Sequence, residues 1–168
     1  MSTAAPVRRG AASGERYREA IGHQAEAVAV VTTSFGAETF GTTAEAVASL
    51  SNEPPMLLVC LERDSATGRA IDRSGEFVVN FLTEDQIHLA EVFAHDGRNG
   101  GSGSAAADRV PLLDDCLAQI ECQVTERVTS ATHIVFIGVA QSVEVSGGSP
   151  HASYRGRFSR LELIDGGA

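Results

Sequence analysis

"GTTAEAVASLSNEPPMLLVCLERDSATGRAI", residues 41–71, is the stretch on which the reading of the fold turns. Its first part, Gly41 to Pro55, is almost all small or polar, carries Glu45 and Glu53, and ends in a double proline. A segment so poor in bulk adds little to a core. The next part is the opposite. "PPMLLVCL" (54–61) is a continuous apolar run of strand length, with prolines at its start, where no ladder donor is needed. "RDSATGRAIDRSG" (63–75) then reads as a short helix, with Asp64 or Ser65 as N-cap and Gly75 beyond its end.

Two parts of this stretch could hold a ligand. Small residues between strands let a flat molecule lie against backbone N–H and C=O groups, and Thr42, Thr43, Ser49 and Ser51 add hydroxyls. The same composition also suits a plain surface turn. At the second part, Arg63 offers a fork of donors, Ser65 and Thr67 offer hydroxyls, and the helix start offers unpaired N–H groups. Together these suit a phosphate, although an ordinary capped helix reads the same way. The strand between them spans roughly 26 Å at ~3.3 Å per residue. One ligand touches both parts only if the small-residue segment loops back along the strand.

Outward from this stretch, strands dominate. "ERYREAIGHQAE" (15–26) has Tyr17, Ala20 and Ile21 at helical spacing, and "AVAVVTT" (27–33) reads as a buried strand. "SFGAE" turns the chain, and "TFGTTAE" (39–45) is extended. "EFVVNFL" (76–82) is a strand, and "TEDQIHLAEVFA" (83–94) a helix opened by the capping pair Thr83 and Gln86. "CLAQIECQVTERV", "THIVFIGVAQSVEV" and "SYRGRFSRLEL" supply three more strands, with "SGGSP" as a turn before the last. About seven strands and three short helices result, with the partial alternation of antiparallel barrel strands. No G-x-G-x-x-G follows a strand, so a Rossmann site is not indicated. Residues 1–14 read as a flexible leader, 15–165 as one domain, and the Gly/Ser run at 95–108 as a mobile loop able to act as a lid.

Composition excludes several functions. Net charge is −9, which argues against nucleic-acid binding. No apolar run is long enough to span a membrane as a helix. All 13 basic residues are arginine, so lysine Schiff-base and P-loop chemistry are out. Cys60, Cys116 and Cys122 form no C-x-x-C pair, which points away from disulfides and zinc and toward a cytoplasmic setting. His133 opens the strand "HIVFIGV"; the other histidines have no metal spacing.

In this order, "AVAVVTT", the 41–71 stretch, "GEFVVNFLTEDQIHLAEVFA", "ATHIVFIGV" and "YRGRF" resemble the flavin reductase-like, FMN-binding split-barrel family over about residues 15–163. The resemblance implies a homodimeric split β-barrel, mainly β with short helices. It implies an enzyme that passes hydride from NADH or NADPH to FMN or FAD and supplies reduced flavin to a partner monooxygenase. Thr42, Thr43, Ala44, Glu45 and Ala46 would edge the isoalloxazine, with Ser51 close by. Arg63, Asp64, Ser65 and Thr67 would hold the ribityl phosphate. His133 would serve catalysis on the nicotinamide side, with Tyr154 and Arg155 near the site. Where the family commonly reads G-M-T-A-N-S, this chain has Gly41-Thr42-Thr43-Ala44-Glu45-Ala46, and the family's G-D-H segment is Ala131-Thr132-His133. A carboxylate against the flavin's N1–C2=O edge would oppose negative charge there by roughly 3 kcal/mol at ~5 Å and an effective dielectric of ~20. Glu45 is therefore expected to offer its backbone and turn its side chain to solvent or an arginine. These departures also leave open a flavin-binding protein without turnover, or one using retained flavin on another small substrate.

Overall fold

A computed structural model describes residues 13–44, 46–95 and 112–161. Chain order is α1 (Gly14–Ile21), β1 (Glu26–Ala27), β2 (Ala29–Phe35), β3 (Glu38–Thr43), β4 (Ala46–Asn52), β5 (Pro55–Glu62), α2 (Ala66–Ser74) and β6 (Glu76–Phe81). A 3-10 turn (Glu84–Gln86), α3 (Ile87–His95), β7 (Ala118–Ser130), β8 (His133–Val145), β9 (His151–Tyr154) and β10 (Arg157–Arg160) follow. The mainly β reading holds. Seven strands form one sheet in the order β3-β2-β6-β7-β8-β5-β4, and every neighbouring pair is antiparallel.

The two edge strands of that sheet, β3 and β4, are consecutive in the chain and separated only by residues 44 and 45. From Thr43 to Ala46 the chain takes three steps and spans at most about 11 Å. The sheet must therefore curl until its edges meet there, while the edges are not paired to each other along their length. This is a barrel left split at one seam.

Alternation decides the two sides of the wall. From β2, Ala29 and Val31 point inward with Leu57, Val59, Leu61, Phe77, Val79, Cys122 and Phe136. Val28 and Val30 point outward, under a second cluster with Leu82, Ala90, Phe93, Leu113 and Cys116. Residues 28–31 of the run "AVAVVTT" are apolar on both faces because α3 covers the outer face and the barrel interior the inner one. α2 closes one barrel end, driving the wholly buried Ile71 into the inner cluster. Its cap is Ser65, and Gly75 ends it in the left-handed region at φ 75°, as its position after the last helical residue suggests. At α3, the Gln86 side chain accepts from the Thr83 N–H (3.1 Å) and donates to the Asp114 carbonyl (2.6 Å).

Some expectations require correction. The segment after Glu45 is a strand, β4, rather than a loop. Pairing with β5 satisfies one side of its backbone, and as an edge strand it needs no bulky side chains. The helix at 15–26 stops at Ile21, where Gly22 caps it, and none of its residues is buried, so Tyr17 and Ile21 face solvent. "SYRGRFSRLEL" is a hairpin, not one strand: Arg155 (φ 52°) and Gly156 (φ 70°) make a two-residue turn between β9 and β10. β1, β9 and β10 form a separate three-stranded sheet. The leader through residue 12, Glu45, and the loop residues 96–108 lie outside the described residues. Among the described residues, no helix is long and apolar enough to cross a membrane, and no cluster of His, Cys, Asp and Glu could hold a metal ion.

Candidate functional site

The seam creates a cleft. Thr42, Thr43 and Ala44 from the end of β3, Leu61 and Glu62 from the end of β5, Ser65 at the cap of α2, and Ala94 of α3 line a cavity of about 330 Å³. The two segments singled out in the sequence are thus neighbours across the seam. β4 and β5 form a hairpin, so the chain runs from Ala44 at the cleft along β4, turns at Glu53-Pro54, and returns to the cleft at Leu61.

Local bonds make the floor rigid. Thr43 Oγ1 donates to the Ala90 carbonyl of α3 at 2.7 Å. The Ala44 N–H donates to Ala29 at 2.9 Å. Gly41 is required by packing, since a Cβ there would lie 2.4 Å from the Phe93 ring. At the other wall, Ser65 Oγ accepts from the Gly68 N–H at 3.0 Å and donates to the Glu62 carbonyl at 2.7 Å. A Cβ at residue 68 would come within 2.9 Å of that hydroxyl, so glycine keeps the cap intact. Thr67, next in the first turn, is wholly buried and its hydroxyl has no hydrogen-bond partner. An unmet buried hydroxyl costs about 1–3 kcal/mol.

The Arg63 N–H donates to Thr132 (2.9 Å), its Nη1 donates to the Ala131 carbonyl (3.2 Å), and its Nε lies 3.5 Å from Asp64. These contacts fasten it to the β7–β8 turn beside the cleft. His133 stands opposite Glu62 in the β5–β8 register, and its Nδ1 lies 2.8 Å from Thr132 Oγ1. Ala46 opens β4 opposite Cys60. Of the predicted residues, Thr42, Thr43, Ala44 and Ser65 line the cleft, Arg63 lines a separate cavity, and three others lie away from it altogether. Ser51 pairs with Met56, five residues from Leu61, or about 17 Å along the strand. Tyr154 bonds His23 at 3.1 Å, and the Arg155 N–H bonds Gly22, both at the small sheet. Leu61, Glu62 and Ala94 line the cleft without having been singled out. Glu62 was readable as the residue before Arg63, whereas Ala94 depends on how α3 docks.

The family model for the flavin reductase like domain matches residues 21–162. The chain belongs to that family. A reductase component of a 4-nitrophenol 4-monooxygenase/4-nitrocatechol 2-monooxygenase from Rhodococcus opacus is 36% identical to it over 147 residues, covering 86% of this chain and 80% of the relative. The NADH-dependent FMN reductase AsuE2 of Streptomyces nodosus subsp. asukaensis is 32% identical, covering 96% and 98%. Among solved structures, the flavin reductase PheA2 superposes with a TM-score of 0.82 at 29% identity, covering 90% of this chain and all of that one. BorF, the reductase component of a bacterial two-component tryptophan halogenase, gives 0.80 at 26% identity, with the same coverage. These flavin reductases share the fold, and the split-barrel architecture read from the sequence stands.

Proposed function

We propose that this flavin reductase-like chain is an NAD(P)H:flavin oxidoreductase that supplies reduced FMN or FAD to a separate monooxygenase. The observation that carries the reading is the meeting of Thr42–Ala44 with the Ser65-capped start of α2 in one cleft. Family membership and the names of its relatives, several of them reductase components, support it. A flavin held by Thr42–Ala44 and the Ser65-capped start of α2 would supply the acceptor for a hydride from NADH or NADPH.

The residues present fit such a ligand. Small side chains at Thr42–Ala44 admit a flat ring against backbone edges. The helix start at Ser65, which lines the cleft, would offer donors for a phosphate, with Arg63 and Thr67 close by in the chain. His133, paired with Glu62 in the β5–β8 register, would serve the nicotinamide side, as the family resemblance implies. The cleft has few charged clamps, which suits a ligand that must be released. The chain acts as a cytoplasmic homodimer, with residues 15–165 as one domain. A role for Ser51, Tyr154 or Arg155 in flavin binding requires the second subunit, because these residues lie away from the cleft in their own chain.

The test is NADH and NADPH oxidation with and without FMN or FAD. Stimulation by flavin is expected. A rate unchanged by either flavin at saturating nucleotide would refute the proposal, and flavin retained through gel filtration without turnover would identify a binding protein instead.

A further inference from the structure

A second, larger cleft lies beside the one just discussed. It measures about 610 Å³, within the usual range for ligand sites, and it abuts the smaller cleft at both walls. On β3, Glu38, Phe40 and Thr42 alternate onto one face; the first two line the large cleft and the third the small one. Phe40 and Thr42 are about 7 Å apart along the strand. On α2, Ala66 lines the large cleft and Ser65 the small one. The two cavities thus lie side by side along β3 and the start of α2.

The large cleft has distinct chemistry. Ala66, Arg69, Ala70 and Arg73 recur at spacings of three and four, so one face of α2 presents two arginines over a floor of small side chains. The Arg69 guanidinium reaches back to the Asp64 carbonyl, beside the helix start. Arg73 lies 5.5 Å over the Phe35 ring, and Phe40 completes an aromatic wall. Arginine forks recognise phosphate, and aromatic and guanidinium planes stack on a purine. Glu38 at the rim disfavours a phosphate on the strand side, which leaves the phosphate to the helix side and polar sugar or amino groups to the carboxylate.

We infer that this cleft binds the adenosine-phosphate half of a dinucleotide whose other half lies in the Thr42–Ser65 cleft. The inference rests on the flavin reading of that smaller cleft. It implies a preference for FAD over FMN, because FMN leaves the larger cleft empty. The same chemistry is carried by the adenylate end of NADPH or NADH.

Fluorescence titration with FAD and with FMN, on wild type, Arg69→Gln, Arg73→Gln and Phe40→Ala, decides it, together with KM for NADH and NADPH. Wild type is expected to bind FAD more tightly, and each arginine variant to raise the FAD-to-FMN ratio of Kd by about tenfold, the loss of one charge-assisted contact. Phe40→Ala shifts the ratio the same way through lost stacking. If the ratio holds but KM for NADPH or NADH rises about tenfold, the nicotinamide nucleotide is the source of the adenylate. An unchanged ratio with unchanged KM values, or equal weakening of FAD and FMN, overturns the inference while leaving the flavin reading intact. A wild type that binds neither flavin overturns both.

Discussion

Gly41→Ala tests the coupling between the cleft floor and α3. The added methyl carbon would sit 2.4 Å and 2.7 Å from two atoms of the Phe93 ring. Carbon atoms rest at about 3.5–4.0 Å, so the ring must retreat by about 1 Å. It has nowhere to go: Phe93 is fully buried, packed with Val28, Val30, Leu82 and Ala90, and interiors are packed at crystal density. Overpacking of this kind costs about 1–3 kcal/mol. In a chain of this size that lowers Tm by about 3–10 °C. If α3 yields instead, the Thr43–Ala90 bond lengthens from 2.7 Å and the floor beside Thr42 and Ala44 shifts, so flavin affinity falls with stability. Urea denaturation of Gly41→Ala, Phe93→Leu and the double variant measures the effect. Phe93→Leu alone costs about 2 kcal/mol through its cavity. The double variant is expected to be more stable than the sum of the two losses by about 1 kcal/mol or more, since the smaller side chain makes room for the methyl. A Gly41→Ala protein within about 0.5 kcal/mol of wild type, or strictly additive losses, would refute this account.

Other sites give independent checks. Burial pushes the thiols of Cys116 and Cys122 up, from 9.0 to about 11 and about 12. Above pH 9 the unfolded chain releases protons that the folded chain keeps, so stability falls as pH rises. Denaturation at pH 8 and pH 10 should differ by about 2–3 kcal/mol from these two groups, and Cys122→Ala should remove about half of that. Asn80 is fully buried and donates to the Val30 carbonyl and Thr32 Oγ1, both at 3.1 Å, while accepting from Leu113 (3.2 Å) and Gln119 (2.7 Å). Asn80→Leu strands these partners and should cost about 3 kcal/mol or more by denaturant melt. Ser65→Ala removes the cap of α2 and should cost about 1 kcal/mol of stability. In a flavin titration it should also weaken binding, whereas stability loss with unchanged affinity would reduce Ser65 to a structural cap.

Much of the local structure was legible because its causes are local. Ser65 and Gly75 bracket α2 because a hydroxyl reaches an N–H three residues on and glycine accepts a positive φ. The Thr83–Gln86 pair and the apolar runs of β2, β5 and β6 follow from equally short-range rules. The two-residue turn at Arg155-Gly156 was missed because arginine at positive φ carries no turn signature. That α1 has no buried residue was not legible, because helical spacing of Tyr17 and Ile21 says nothing about whether anything packs against them.

The sequence by itself determined a mostly β chain, the strands and their caps, the absence of lysine chemistry, and the two segments suited to a flat ligand and a phosphate. Only the tertiary structure decided that β3 and β4 are the two edges of one curled sheet, that the segments on either side of that seam share a cleft, and that Arg69 and Arg73 face Phe35 and Phe40 beside it. The physical reason is that helix capping and strand alternation act over a few residues. Edge position and the docking of α2 and α3 depend instead on which distant surfaces bury each other, and a two-residue period reads the same on either face of a strand.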